Sequence, residues 1–342
     1  MPHKTFMAFI APSLFVMLLF IALPILSVFY QSLYIGHPQV LVEVENCGPF
    51  GCTRSTRVDT EAMRALQEAK PAGQFNGLGT YANSRHLAFA EIAQIWRDSD
   101  TAVAALRGIF NLPFYKALTF TIAYTLIVTP MVIVLGFFIA LAVNSIPRSI
   151  KGPVIFLSLL PMIVTPLIGA LVLYWMIDAR GVIGATLQLV FADPELSLKA
   201  SPALTWVVLF IYGIWHNAPF SFVVYYAGLQ TVSNDTLESA MVDGANRWER
   251  VRHVVIPHLL PLTTFIALMQ LMDNFRVFEP IVGFNAAGNA SSLSYMIYSD
   301  LRAGDSPLFG SAAATSMLTI LGIVVLLTPV LIRTWRDFNR KS

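Results

Sequence analysis

The sequence predicts an all-α, polytopic membrane protein with six transmembrane helices, and three observations lead to this fold class. Of the 342 residues, 56% are hydrophobic and only 12% are charged, whereas a soluble domain has about 45–50% and about 25%. Six apolar stretches are each long enough to cross a bilayer, which takes about 20 residues. These stretches are unbroken and lack the alternating strands of about ten residues found in barrels, so we expect helices.

The six predicted spans differ in their polar content. The first is too long for the core of a cleaved signal peptide, about 7–15 residues, so we expect a retained helix. Five spans contain no Asp, Glu, Lys or Arg, whereas the fifth carries Asp273, Arg276 and Glu279. The predicted spans are Phe6–Tyr30, Ala117–Val143, Val154–Ile177, Ala203–Leu229, Leu259–Phe284 and Phe309–Ile332.

Composition and motifs exclude several classes of function. The net charge of +2 is too small to indicate a nucleic-acid partner. The chain contains no Walker phosphate-binding motif, no H-E-x-x-H and no G-x-S-x-G. His253 and His258 have the wrong spacing to share a metal on one helix face. We therefore expect neither an enzyme nor a metal site.

The basic residues of the short loops predict the orientation in the membrane, because cytoplasmic loops are enriched in Lys and Arg. An even number of spans places both termini on one side. That side holds ten basic residues in its termini and short loops, against three opposite, so we expect both termini in the cytoplasm. The ten are Lys4, Arg148, Lys151, Arg247, Arg250, Arg252, Arg333, Arg336, Arg340 and Lys341, and the three are Arg180, Lys199 and Arg302.

The first external loop, residues 31–116, is long and mixed in character. Glu61–Gln67 and Leu87–Arg107 have the apolar spacing of two short helices, and Gly73–Gly79 resembles an irregular connector. Cys47 and Cys52 flank a Gly-Pro turn, which predicts a disulfide that closes a hairpin in an oxidising compartment. Free thiols are the alternative.

We expect three parts along the chain. Residues 1–30 contain the N-terminus and the first transmembrane helix, residues 31–116 form the external loop, and residues 117–342 form a core of five transmembrane helices. The cytoplasmic loop at 230–258 belongs to this core and is the most informative segment.

This cytoplasmic loop has the pattern of two short helices. Asp235 and Glu238 have capping-box spacing at the start of the first helix, and Gly244 allows a sharp turn at its end. A second, Arg-rich helix with Trp248 runs to Pro257, where the next span begins. The slim first helix is suited to enter a groove on another protein. An amphipathic helix lying on the bilayer surface is the alternative.

The same loop resembles the EAA motif of bacterial ABC importer permeases, E-A-A-x(3)-G-x(9)-I-x-L-P. Glu238-Ser239-Ala240 stands for E-A-A, Gly244 has the required spacing, and Val254–Pro257 stands for I-x-L-P. Ser for Ala and Val for Ile are mild departures. The match extends over twenty residues with a fixed internal gap.

The flanking segments resemble the maltose-type sugar permeases. These segments are Tyr226–Gln230, Asp243–Ala245 and Phe275–Glu279, and the resemblance extends from about Ala117 to the C-terminus. The family often has a T-G-G-G-P-like turn after the fifth span, where this chain has Asn285–Ala290. The external gate is therefore expected to differ.

The resemblance implies the fold of a type I ABC importer permease in the bacterial inner membrane. It implies a second permease subunit in a heterodimer, a dimer of ATPase subunits that binds ATP and Mg, and a periplasmic sugar-binding protein. No cofactor is then expected in this chain. The residues implied to couple it to the ATPase are Glu238, Ser239, Ala240, Asp243, Gly244, Ala245 and Pro257.

Two polar stripes in the spans are candidates for substrate binding, since a buried polar group in a membrane normally faces a cavity or a partner. Amides beside an aromatic ring suit a sugar, and the resemblance places both stripes at the sugar site. Helix–helix contacts are the structural alternative. The stripes comprise Gly213, His216, Asn217 and Phe220 in the fourth span, and Gln270, Asp273, Asn274 and Val277 in the fifth.

An ion-coupled secondary transporter that uses Asp273 and Arg276 is the alternative function. Such a protein is expected to contain an inverted repeat and helices broken at the midplane, and the sequence shows no clear sign of either. A membrane scaffold would not need the polar stripes. The sequence leaves open which sugar is carried and whether it is neutral or anionic.

Overall fold

A computed structural model describes residues 3–37, 40–48, 51–70, 72–199, 201–303 and 308–339. Helices dominate this part of the chain, and the strands are confined to the first loop. The helices are α1 (His3–Met17, a π-helical segment Leu18–Ala22, and Leu23–Ser32), α2 (Thr60–Ala69), α3 (Gly79–Ala82), α4 (Phe89–Asp98), α5 (Ala102–Phe110), α6 (Pro113–Ser145), α7 (Arg148–Ile163), α8 (Pro166–Met176), α9 (Val182–Phe191), α10 (Pro202–Leu229), α11 (Asn234–Val242), α12 (Arg247–Arg250, a π-helical segment Val251–Val255, and Ile256–Phe275), α13 (Glu279–Gly283), α14 (Leu293–Leu301) and α15 (Phe309–Asn339). The strands are β1 (Tyr34–Ile35), β2 (Leu41–Gly48), β3 (Gly51–Val58) and β4 (Gln74–Phe75).

Within the described residues, five helices are long and apolar enough to cross a membrane, and a bent pair makes six. The predicted fold class is therefore confirmed. The third span, predicted as one helix over Val154–Ile177, is instead the pair α7 and α8, which meet at 93°. Pro166 causes the break, because the residue before a proline avoids the helical region. Thr165 accordingly has φ −61° and ψ 141°.

The fifth span was predicted as Leu259–Phe284 and is also interrupted. Helix α12 ends at Phe275, and the chain resumes in the short helix α13. The ring of Pro280 would clash with the carbonyl of Arg276 four residues earlier if the helix continued. The span therefore contains a non-helical segment at 276–278.

Helix α12 also begins earlier than predicted. The short Arg-rich helix with Trp248 that was expected to run to Pro257 is continuous with the span, because the π-helical segment Val251–Val255 joins the two. In that segment the Ile256 N–H donates to the Val251 carbonyl, five residues back. Pro257 has no N–H to donate, and this shifted hydrogen-bond pattern lets the helix pass it.

The first loop contains more structure than predicted. The helix expected at Glu61–Gln67 is present as α2, and the Asp59 carboxylate caps it by accepting from the Glu61 and Ala62 N–H groups at 3.0 Å. The prediction of a single helix at Leu87–Arg107 was wrong, because this segment forms two helices, α4 and α5. Thr101 caps the second of these through the Ala104 N–H at 3.2 Å.

Two short antiparallel sheets complete this loop. Strand β4, in the segment predicted as an irregular connector, pairs with β1. Strands β2 and β3 form the predicted hairpin, with Cys47 directly opposite Cys52 in the register. The side chain of Cys47 lies outside the described residues, as do the side chain of Lys4 and residues Arg340 and Lys341. The disulfide therefore stays a prediction.

The chain divides into two compact units. One consists of Met1–Tyr115 and Met296–Ile320, and the other of Lys116–Tyr295 and Leu321–Ser342. The second unit contains two apolar cores. One is built around Phe120, Tyr124 and Tyr212, and the other around Phe222 and Tyr225. The three-part division expected from the sequence stays a prediction.

Helices α6 and α10 approach closely at Gly136 in the second unit. A Cβ there would lie 2.5 Å from the Ser221 Cβ and 2.8 Å from the Phe222 backbone nitrogen. We expect Gly136→Ala to destabilise the protein by about 1–3 kcal/mol through overpacking. Thermal unfolding in detergent measures this, with Gly152→Ala as control because nothing lies within 4 Å of its Cβ position. Equal melting temperatures would contradict the close packing.

The first unit contains a buried polar cluster. The Asp300 carboxylate, whose side chain is 0% exposed, pairs with the Arg85 guanidinium and accepts from the Ser311 hydroxyl at 2.6 Å. His86 is fully buried beside it, with Nδ1 2.8 Å from the Asn83 Oδ1 and Nε2 3.1 Å from the Thr315 hydroxyl. The cluster thereby joins the segment after α3 to α14 and α15 within this unit.

Burial lowers the pKa of His86 below its ordinary value, against the opposing effects of the Ser311 carbonyl and the Asp300 charge. The folded protein thus holds a neutral imidazole, whereas the unfolded chain takes up a proton near pH 6.5. We expect stability to be full above that pH and to fall as the pH decreases below it. Melting temperatures across this range should fall less steeply in His86→Gln. An equal slope would mean that His86 does not contribute.

Candidate functional site

A cavity of about 310 Å³ lies within the second unit. Helices α6, α8, α10, α12 and α13 and the segment at 276–278 contribute to its walls. The lining residues are Tyr124, Pro166, Tyr212, Gly213, His216, Asn217, Asp273, Asn274, Arg276, Val277, Glu279 and Pro280.

Six of the eight residues predicted to bind substrate line this cavity. The other two lie elsewhere: Phe220 packs against the second apolar core and contacts the Phe265 ring, and Gln270 is buried behind the wall. Val277 was placed in a helical stripe, which is wrong because α12 ends two residues earlier. It still lines the cavity, through the non-helical segment.

Asn274 joins three helices that surround the cavity. Its amide nitrogen donates to the Thr129 hydroxyl of α6 at 3.0 Å and to the Gln270 carbonyl of its own helix at 3.3 Å. Its amide oxygen accepts from the Asn217 amide of α10 at 3.1 Å. Part of the polar stripe is therefore helix–helix contact, the structural alternative considered from the sequence.

We expect Asn274→Leu to destabilise the protein by about 2 kcal/mol. The change removes three hydrogen bonds, each contributing about 0.6 kcal/mol in membrane proteins. Thermal unfolding in detergent measures the loss, and Thr264→Val is the control because its hydroxyl bonds only to the Leu260 carbonyl of the same helix. A melting temperature equal to that of the control would show that the network does not hold the helices together.

Other lining side chains carry polar or charged groups. The His216 ring stacks on Tyr212 with centroids 5.8 Å apart, and its Nδ1 is buried without a hydrogen-bond partner among the described residues. Asp273 and Arg276 form an ion pair at 3.7 Å, with 65% and 55% of their side chains exposed. Glu279 is exposed at the start of α13.

The sequence did not reveal the aromatic part of the wall. Tyr124 and Tyr212 lie in apolar spans with no charge beside them, and Pro166 comes from the break between α7 and α8. One signal was available: Gly213 leaves room for the Tyr124 hydroxyl, which lies 2.1 Å from the position of a Cβ. A glycine next to a tyrosine in a span indicates such close packing, but not the identity of the partner.

The cavity combines aromatic rings with amide, imidazole and charged groups. The amide, imidazole and charged groups can exchange hydrogen bonds with hydroxyls, while the Tyr124 and Tyr212 rings are almost fully buried behind them. Among the described residues, no group of three His, Cys, Asp or Glu side chains could hold a metal. The arrangement therefore suits reversible binding of a polyhydroxylated molecule.

The cytoplasmic loop of the sequence analysis has a well-defined turn at Gly244. The Ala245 N–H donates to the Ala240 carbonyl at 2.9 Å, and the Gly244 N–H donates to the Met241 carbonyl at 3.0 Å. These two bonds form a Schellman motif that ends α11, with Gly244 at φ +86°. The motif explains why a glycine is needed at this position.

The helix caps of this loop differ from the prediction. Asp235 and Glu238 do not form a capping box, because α11 starts at Asn234 and Ser233 makes no side-chain cap. A capping box is present one helix later. The Asn246 side chain accepts from the Glu249 N–H at 2.9 Å, and the Glu249 carboxylate accepts from the Asn246 N–H at 2.7 Å.

The outer face of the loop is apolar and exposed. Val242 is 88% exposed and Trp248 is 66% exposed, and they flank the Gly244 turn. Leu237 packs against the second apolar core on the inner side. Of the residues implied to contact an ATPase, Glu238, Ser239, Asp243 and Gly244 are exposed, while Ala240 and Ala245 are half-buried.

Comparison with known proteins identifies the family. A family model described as "Binding-protein-dependent transport system inner membrane component" matches residues 132–335, more than half of the chain. The chain belongs to this family. The match includes the cytoplasmic loop and most residues of the cavity wall.

Curated relatives in this family include transport permeases. The chain is 31% identical over 236 residues to the maltodextrin transport system permease protein MalC of Streptococcus pneumoniae, covering 64% of this chain and 53% of that protein. It therefore spans about half the length of that relative. It is 25% identical to the trehalose/maltose transport system permease protein MalF of Thermococcus litoralis, covering 68% and 78%.

A solved structure supports the fold of this family member. The match is to a chain of a bacterial ABC transporter involved in the import of the acidic polysaccharide alginate, with a TM-score of 0.58. Sequence identity is 21%, and the match covers 81% of this chain and 93% of the other. The helical arrangement is thus that of an ABC importer permease.

Proposed function

We propose that the chain is the transmembrane permease subunit of an ATP-driven ABC importer for a sugar or sugar derivative. A periplasmic binding protein delivers the sugar, and a second permease subunit completes the pathway. A dimer of ATPase subunits holds ATP and Mg and hydrolyses ATP, so this chain is not an enzyme. The protein lies in the bacterial inner membrane with both termini in the cytoplasm.

The observation that carries this proposal is the exposed loop around Gly244. Its Schellman turn presents Val242 and Trp248 beside a backbone that has no side chain at the apex. A groove on an ATPase can approach such a backbone closely. A helix on the bilayer surface can end in the same glycine turn. The resemblance of this loop to the EAA motif is what favours an ATPase as the partner.

The cavity supports the choice of substrate class. His216, Asn217 and Asp273 provide hydrogen-bonding groups, and the buried rings of Tyr212 and Tyr124 back the wall behind them. The maltodextrin and trehalose/maltose transport systems to which the similar permeases belong are consistent with a sugar. ATP-driven closure of the ATPases is proposed to bring the two loops together and expose the cavity to the outside by alternating access.

The test is transport by the reconstituted complex. The chain should co-purify with a second permease and an ATPase, and be inactive alone. Proteoliposomes should take up the sugar that the binding protein retains when ATP is present inside and no ion gradient exists. An ATPase variant that binds but does not hydrolyse ATP is the control. Transport by a homodimer without an ATPase would overturn the proposal.

The alternative, a secondary transporter, rests on the Asp273–Arg276 ion pair exposed to the cavity. It predicts uptake that follows an imposed proton or sodium gradient and ignores ATP. The same proteoliposomes distinguish the two mechanisms, because the gradient and the nucleotide are varied independently.

A further inference from the structure

The charges in the cavity wall do not balance, and this imbalance bears on the substrate class. Four lining side chains other than the tyrosines can carry a charge: His216, Asp273, Arg276 and Glu279. Two are carboxylates and one is a guanidinium. The wall formed by this chain therefore carries one net negative charge while His216 is neutral.

Arg276 does not offer its full charge to a ligand. Its guanidinium lies 3.7 Å from an Asp273 carboxylate oxygen, three residues earlier in the chain. The nearby carboxylate therefore cancels part of the charge that Arg276 presents to the cavity. In the sequence alone, the positive charge of Arg276 was a reason to consider an anionic sugar as the substrate. The pairing with Asp273 weakens that reason.

Glu279 has no such partner. Within the described residues it forms no salt bridge, and its carboxylate is exposed at the first position of α13. Glu279 lines the same cavity as Tyr124, Tyr212 and His216. The excess negative charge therefore acts on the space that a ligand would occupy.

We propose that Glu279 is a specificity-determining residue that makes the cavity select uncharged or amino sugars and reject sugars with a carboxylate or phosphate group. This inference rests on the proposed function, because it describes the same cavity. An ammonium group would gain from Glu279, whereas an anion would be repelled by this carboxylate, which forms no salt bridge within the described part of the chain.

The test measures the electrostatic potential in the cavity and does not require the sugar to be identified. Cys47 and Cys52 are changed to Ser, and Asn217→Cys places one thiol in the cavity wall. The complete permease–ATPase complex then reacts with a trimethylammonium and a sulfonate methanethiosulfonate of similar size. The ratio of the two rates, divided by the same ratio for 2-mercaptoethanol, reports the local potential and is insensitive to the thiol's own reactivity.

We expect this normalised ratio to exceed one and to fall roughly tenfold in Glu279→Gln, because a nearby charge acts oppositely on the two reagents. Glu279→Asp keeps the charge and should keep the ratio, which also shows that the site tolerates substitution. Glu195→Gln is the matched control, an exposed carboxylate outside the cavity wall. Arg276→Gln should raise the ratio by freeing Asp273.

A ratio of one or less in the parent would overturn the inference, since the second permease subunit would then have neutralised the cavity. An unchanged ratio in Glu279→Gln would overturn it as well. The reaction needs no turnover, so either result can occur while ATP-dependent uptake proceeds, and the proposed function then stands. Absence of ATP-dependent uptake overturns the proposed function, whatever the ratio is.

Discussion

Gly244→Asp is expected to abolish most of the ATP hydrolysis that the liganded binding protein stimulates. The substitution adds bulk and charge at the apex of the loop, where the proposed contact has little room. We expect docking to weaken by about 1–3 kcal/mol, the cost of an unpaired buried polar group. Stimulated hydrolysis in the reconstituted complex and retention of the ATPase on the purified permease pair measure the effect.

Two variants separate contact from backbone strain at this turn. Asn and Asp both tolerate positive φ better than other side chains, so Gly244→Asn keeps the Schellman turn and adds bulk without charge. It should show an intermediate loss. Gly36→Asp is the control, an exposed glycine without positive φ and with nothing within 4 Å of its Cβ position. Full retention and full stimulated hydrolysis in Gly244→Asp would show that this loop is not the coupling element.

Glu238→Lys should be milder than Gly244→Asp. The sequence argument assigned Glu238 a capping role, and the structure removes that role, since no capping box forms at the start of α11. What remains is an exposed charge beyond the first turn of α11, where the helix dipole contributes little. Both variants should insert into the membrane normally, because neither residue lies in a span.

Arg85→Ala is expected to be the most destabilising single change in the first unit. Removal of the guanidinium leaves the Asp300 carboxylate fully buried, with the Ser311 hydroxyl as its remaining side-chain partner. Breaking a buried pair in this way costs about 3–5 kcal/mol, and the 47% exposure of Arg85 places the expected loss near 3 kcal/mol. Thermal unfolding and limited proteolysis in detergent measure it.

Two control variants test whether the loss comes from the unpaired buried charge. Arg54→Ala breaks an ion pair with Glu45 on the exposed hairpin and should cost less than about 1 kcal/mol. Asp300→Asn added to Arg85→Ala removes the unpaired charge and should restore much of the stability. A loss in Arg85→Ala no larger than in Arg54→Ala would show that the buried carboxylate is not held by this pair.

Hydrophobic patterning predicted the membrane class and the approximate location of all six spans, because a bilayer imposes length and apolarity directly on the sequence. It failed at Pro166 and Pro280, where the spans break. Proline is tolerated in membrane helices when neighbouring groups satisfy the freed backbone, so pattern alone does not distinguish a kink from a break. Pro130 lies inside the continuous helix α6, whereas Pro166 starts a new helix.

The sequence predicted part of the cavity wall. His216, Asn217 and Asp273 were found because polar side chains are rare in spans. Tyr124 and Tyr212 were missed, because a tyrosine in an apolar stretch is common and its partner lies on another helix. Asn274 was among the predicted residues and lines the cavity. Its role in joining helices was not predicted, because only the packing of α6 and α10 shows that its amide is already hydrogen-bonded.

The sequence by itself determined the transmembrane character, the loop at 230–258 and its motif, since each depends on residues that are close together in the chain. A Schellman turn at Gly244 is built from six consecutive residues, so the glycine alone predicts it. The tertiary structure decided which polar groups remain available. Arg276 is paired with Asp273, and Asn274 is held by Thr129 and Asn217. Glu279 forms no salt bridge with any residue that the structure describes. These outcomes depend on where α12 ends, which Pro280 sets locally, and on which helices lie beside it, which only the packing determines.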